Sequence, residues 1–207
     1  MLIAVFVLSI SQRVLDIAYV STLSVWVSKH VYNGNIHKIS YHNKLILGVS
    51  HVASMPFGLI FGYLYDKCGE LLIVPLIFFL SGAPYIALFF ITDFDSVLSY
   101  SLQIFAAIFS VLCNSIGFII TARHSPPQGA GKIFALRSFL GGLFSIGYSY
   151  LIGWMIDQEF NKVIFLMIGV IGLSTTVMFI CIRLCCKCIT KKQREDEEIF
   201  MLASDSN

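Results

Sequence analysis

Arg13 and Asp16 are opposite charges three residues apart inside an unbroken apolar run. On a helix that step puts both side chains on one face, within reach of each other or of a common ligand. Charge inside hydrocarbon is costly, so such residues turn toward a bundle interior or a water-filled cavity and mark solute pathways. Gln12 adds a carboxamide beside them, and a later run carries Gln103, Ala107, Ser110, Asn114, Gly117 and Thr121 at helical spacing. Arg13, Asp16, Gln103 and Asn114 are therefore the candidate substrate-binding residues. The competing reading of Arg13 and Asp16 is an internal ion pair that fixes helix packing without touching solute.

The chain around them is 57% hydrophobic and 13% charged over 207 residues, with a mean hydropathy of +0.82. Soluble domains average about 25% charged, so this composition is that of a multi-pass membrane protein whose first partner is the lipid bilayer. Net charge is only +2 and the cations flank apolar runs without forming a face, which excludes nucleic acid as a partner. A cleavable signal peptide fits poorly, because no basic segment precedes Leu2 and Arg13 and Asp16 interrupt the apolar region. No catalytic Ser/His/Asp set, phosphate loop, metal-ligand cluster or cofactor motif is present in the sequence, so an enzyme is not expected.

Apolar runs long enough for a bilayer, about 20 residues each, occur at 2–27, 45–65, 71–92, 97–122, 133–156 and 163–184, giving an all-α bundle over 1–184 and a tail over 185–207. Lys67, Arg123, Lys132, Arg183, Lys187, Lys191, Lys192 and Arg194 fall on the side of the termini, against Lys29, Lys38, Lys44 and Lys162 opposite. The excess of cations puts both termini in the cytosol. Spans one and four hold the polar stripes and face inward. Spans two and five carry small-residue stripes that suit close packing, with Gly58, Gly142 and Gly153 as packing positions. Spans three and six, rich in Leu, Ile, Phe and Val, read as lipid-facing. The repeated order describes two three-helix units, the second inverted relative to the first.

The connection Gly58–Glu70 carries a recognisable pattern: Gly62, Asp66, Lys67 and Gly69 stand in a tight charged turn between two spans. Here the chain resembles the major facilitator superfamily of membrane transporters, whose signature loop reads Gly-x-x-x-Asp-Arg/Lys-x-Gly-Arg/Lys. Glu70 departs from it, standing where a cation is usual, which weakens the charge relay that the motif implies. The resemblance implies a half of the twelve-helix fold, in which the first helix of each three lines the cavity, the second gates it and the third faces lipid. It further implies that Asp66 acts on a gate helix of the opposite half, supplied by a second copy or a complementary half. The departing motif, the short lead into span one and the charged tail look more like the C-terminal half, as a truncated product, a dimerising half-transporter or a remnant. Gln12-Arg13, together with Gln128, Gly131 and Ala135-Leu136-Arg137, resembles the large-neutral-amino-acid facilitators. That implies transport of an amino acid or similar small organic solute by alternating access, with Arg13 and Asp16 meeting its carboxylate and amine. The rival function is a non-transporting regulator or assembly partner derived from a transporter.

Other residues carry less. His51 on the small-residue stripe is a packing histidine or a proton carrier. His30, His37 and His42 lack the spacing and company of a metal site. Pro56, Pro75 and Pro84 are expected to kink helices. Cys185, Cys186 and Cys188 suit juxtamembrane S-acylation or plain interfacial positions. The tail is basic and then acidic, a composition of disorder, and its Glu197-to-Leu202 string resembles an acidic dileucine signal, giving the plasma membrane or an endolysosomal membrane as the destination.

Overall fold

The computed structural model describes residues 2–17, 23–32, 34–126, 128–158, 160 and 162–204, and side chains between residues 7 and 185. The described residues form seven helices: α1 (Leu2–Ile17), α2 (Leu23–His30), α3 (Ile36–Cys68), α4 (Glu70–Phe90), α5 (Val97–His124), α6 (Ala130–Asp157) and α7 (Val163–Ser204). Five of them, α3 to α7, are long and apolar enough to cross a membrane. The first expected span is divided between α1 and α2, and residues 18–22 of it lie outside the described residues.

Local chemistry sets several boundaries. The Asn35 side chain caps α3 by accepting from the Lys38 backbone N–H, and Ser96 caps α5 by accepting from that of Ser99. Gly69 both ends α3 and opens α4. Its φ of +78° is a left-handed conformation that other residues rarely adopt, and its N–H returns to the Tyr65 carbonyl. α3 begins nine residues before the expected start of span two, so much of the expected polar loop, including His37 and His42, is helical. The expected disordered tail is also helical as far as Ser204.

Packing reverses one expectation. α4 was expected to face lipid, yet it packs between α5 and α7 and buries Ile73, Val74, Ile77, Phe78, Tyr85 and Leu88. In lipid, helix association draws on close contact more than on hydrophobic burial, and α4 and α7 make such a contact. A Cβ on Gly172 of α7 would stand 2.9 Å from Gly82 Cα of α4, and one on Gly169 would stand 3.1 Å from the Gly82 carbonyl oxygen. By contrast the expected packing positions Gly142 and Gly153 have nothing within 4 Å, and Gly58 meets only a Leu112 methyl at 3.8 Å. A small residue permits close approach only where another helix is present, and the small faces of α3 and α6 point out of the bundle. Large apolar side chains accompany them: Leu59 of α3 is 79% exposed and Tyr150 of α6 is 81% exposed.

α1 packs against α5, α6 and α7, while α5 packs against α1, α3 and α4. These two helices meet in the middle of the bundle. At one end, Trp26 of α2 meets Phe94 and Phe165 in an aromatic cluster with centroids 4.6–5.6 Å apart. Lys162 closes this end by donating to the Ile91 carbonyl.

Candidate functional site

Where α1, α5 and α6 meet, three polar side chains form one line, buried at Arg137 and Gln12 and half-buried at Asn114. Arg137 Nη2 of α6 donates to Gln12 Oε1 of α1 at 2.5 Å, and Gln12 Nε2 donates onward to Asn114 Oδ1 of α5 at 2.5 Å. The backbone makes room for this line. A Cβ on Gly117, one turn beyond Asn114, would stand 2.5 Å from Gln12 Oε1 and 2.7 Å from Arg137 Nη2. A larger residue at 117 would push the ends of these two side chains aside, and glycine leaves them where they cross. Arg137 is buried, with its guanidinium carbon 4.4 Å from the Phe118 ring centroid, a stacking that lowers the cost of placing the cation there.

Arg13 and Asp16 adjoin this line. Their nearest atoms are 4.0 Å apart, and both side chains are partly exposed, at 41% and 27%. That is the contact expected from the sequence. Arg13 also lies along α6: a Cβ on Gly141, one turn past Arg137, would be 3.0 Å from Arg13 Cγ. His51 of α3 is close enough to Asp16 to act on it electrostatically. An apolar groove of about 570 Å³ continues along α1 and α6 past Val14, Phe144 and Tyr148.

The structure brings Arg13, Asp16 and Asn114 to one place and leaves Gln103 out. Gln103 is eleven residues from Asn114 on the same helix, ~16 Å along its axis. It is fully buried, donates to Ser99 Oγ at 2.9 Å and pairs with His42 Nε2 at 2.8 Å. This belongs to a second polar group near the start of α5, where the Tyr32 hydroxyl donates to Asp95 at 2.6 Å and meets Tyr100 at 2.8 Å. Burial and these hydrogen bonds push the Tyr32 phenol well above its ordinary pKa, so it stays a donor. Gln12, Gly117 and Arg137 are the residues that sequence reasoning did not place in the site. Arg137 stands four residues into the expected span 133–156, the position of an interfacial cation, and only the crossing with α1 shows it turned inward.

The signature loop lies where α3 and α5 end and α4 begins, beside the middle of α7. Glu70 is buried and pairs with Arg183 of α7 and, at 3.1 Å, with His124 of α5, while the Tyr65 hydroxyl donates to it at 3.2 Å. The departure from the motif therefore does not empty this position of charge pairing: the carboxylate takes a guanidinium from α7 and an imidazole from α5, at a helix N-terminus that favours a negative group. Asp66 is exposed and has no ion pair among the described residues, Lys67 lies over the Tyr63 ring at 4.7 Å, and Gly62 faces open space.

A polar site inside an apolar all-α bundle, with a charged turn between α3 and α4, limits the families that could match. The comparison with family models gives the Major Facilitator Superfamily over residues 1–197. The comparisons with curated proteins and with solved structures gave no match. A match over nearly the whole chain accounts for the apolar helices and the signature turn together, and the chain belongs to the major facilitator superfamily of membrane transporters.

Proposed function

We propose that this chain moves a small organic solute, of amino-acid type, across a membrane by alternating access, and that the α1/α5/α6 site is its share of the solute-binding cavity. The observation that carries this reading is the polar line Arg137–Gln12–Asn114 beside the partly exposed Arg13 and Asp16. Five adjacent polar or charged groups in an apolar bundle are too costly to be incidental. Arg13 is placed to meet a carboxylate and Asp16 an amine, and the groove past Val14 and Phe144 suits an apolar side chain.

The unit is six spans, with α1 and α2 sharing the first, arranged as two inverted three-helix repeats. Exchanging α1 with α5, α3 with α6 and α4 with α7 turns the contacts of α1 with α6 and α7 into those of α5 with α3 and α4, as an inverted repeat requires. The cation excess near Arg123, Lys132 and Arg183 favours cytosolic termini, in the plasma membrane or an endolysosomal membrane. The exposed faces of α3 and α6 are the gate faces, set against a second six-helix unit supplied by another copy or a complementary half. Asp66, pointing away from its own bundle, reaches that unit, and the chain corresponds to the C-terminal half of the fold. The same open faces suit a non-transporting assembly partner. Uptake by purified protein in liposomes, scanned over amino acids and sugars, separates the two: saturable uptake of one class supports transport, and none across the scan supports the assembly role.

A further inference from the structure

The charges at the site do not balance. Arg13 and Arg137 bring two guanidinium groups and Asp16 brings one carboxylate, which is already paired with Arg13. Arg137 is 6% exposed, and its partner Gln12 is a neutral carboxamide. Its other terminal nitrogen, Nη1, is buried and has no hydrogen-bond partner among the described residues. A buried cation without a counter-ion is one of the costlier features a membrane protein can carry. Removing it would be simple, since an uncharged side chain at 137 could still meet Gln12.

We infer that Arg137 is an anion-binding residue, and that Gln12 holds its place until an oxyanion of the solute displaces it. The guanidinium offers a planar fork of donors matched to a carboxylate or phosphate. One prong is held by Gln12 Oε1, which occupies the position of one oxyanion oxygen, and Nη1 is left for the second. Gln12 stays anchored on release, because its Nε2 is already bonded to Asn114. Phe118 supports the guanidinium plane from beneath, and Gly117 keeps the crossing open. The preferred solute thus carries at least one negative oxyanion group, a carboxylate or a phosphate, and Arg137 is its anchor in addition to Arg13. This deepens the transport reading and rests on the same site.

The test uses the purified full chain in lipid nanodiscs, with thermal unfolding as readout and acetate and inorganic phosphate as probes, against chloride at matched ionic strength. A probe at roughly five times its dissociation constant raises the wild-type midpoint by about 2–4 °C. Gln12→Glu, isosteric but charged, supplies the missing counter-ion from within. It raises the midpoint without any probe and abolishes the probe's effect, as Arg137→Gln also does, while Ser115→Ala on another face of α5 behaves as wild type. A wild type that neither anion stabilises, or a Gln12→Glu protein that still responds, overturns the assignment. Acetate and phosphate responses tell a carboxylate site from a phosphate site. If the anion effect is present but liposomes show no uptake, the transport reading fails and the anion site stands. Uptake that persists in Arg137→Gln reverses that outcome.

Discussion

The seam between α4 and α7 and the outer faces of α3 and α6 are built from the same residue types and have opposite fates. On the seam, Gly82, Gly169 and Gly172 bring two backbones into contact. On α3 and α6, Gly62, Gly142 and Gly153 face open space among exposed Leu, Phe and Tyr. The first surface is covered within the chain and the second is exposed. In the transport reading proposed above the first is a permanent joint and the second the movable face that meets another unit.

The sharpest way to break the comparison is to enlarge a glycine on each surface. Gly172→Leu forces a side chain into the α4 backbone and should cost about 3 kcal/mol or more, since overpacking of this kind disrupts helix positions. Size-exclusion profiles after heating should show little monodisperse protein. Gly142→Leu on the open face should leave the thermal midpoint within about 2 °C, consistent with surface changes of under about 0.5 kcal/mol. Equal losses from the two changes would mean that α6 is covered as α4 is.

Next in size is the knot that holds helix ends to the seam. Glu70→Gln removes the carboxylate from Arg183 and His124 and should cost about 1–3 kcal/mol, below the value for a fully buried pair because Arg183 is 24% exposed. Glu70→Arg combined with Arg183→Glu should recover part of the loss in the same unfolding measurement. Gln103→Leu should cost about 1 kcal/mol by leaving His42 and Ser99 without their partner, with solute affinity unchanged if Gln103 lies outside the binding site. Smallest of all, Asp66→Asn should leave stability unchanged within about 0.5 kcal/mol. Any effect should be in transport or in cross-linking yield between units, and no change in either reduces the loop to a turn.

The sequence made much of this legible. Apolar runs gave the helices, Gly69 gave the turn between α3 and α4, and the three-residue step from Arg13 to Asp16 gave their contact. What it could not show was which neighbour each face meets. Periodicity marks the small face of a helix but not whether another helix covers it, so the stripes of α3 and α6 read as packing surfaces while Gly82 of α4 passed unremarked. Periodicity likewise gives a face without a depth: Gln103 and Asn114 share a stripe but belong to two polar groups at different heights. Arg137 was hidden because a cation near the end of an apolar run is usually interfacial. Glu70 read as a lost cation, since its partners His124 and Arg183 lie 54 and 113 positions away in sequence.

The most direct measurement is amino-acid uptake into proteoliposomes by wild-type protein and by Arg13→Gln at equal incorporation. A site on α1, α5 and α6 that holds the solute predicts a fall of about 10- to 100-fold in uptake at low solute concentration, the loss of one charge-assisted hydrogen bond, with thermal stability nearly kept. Full uptake by Arg13→Gln would contradict it and leave Arg13 and Asp16 as an ion pair that only holds α1 in place.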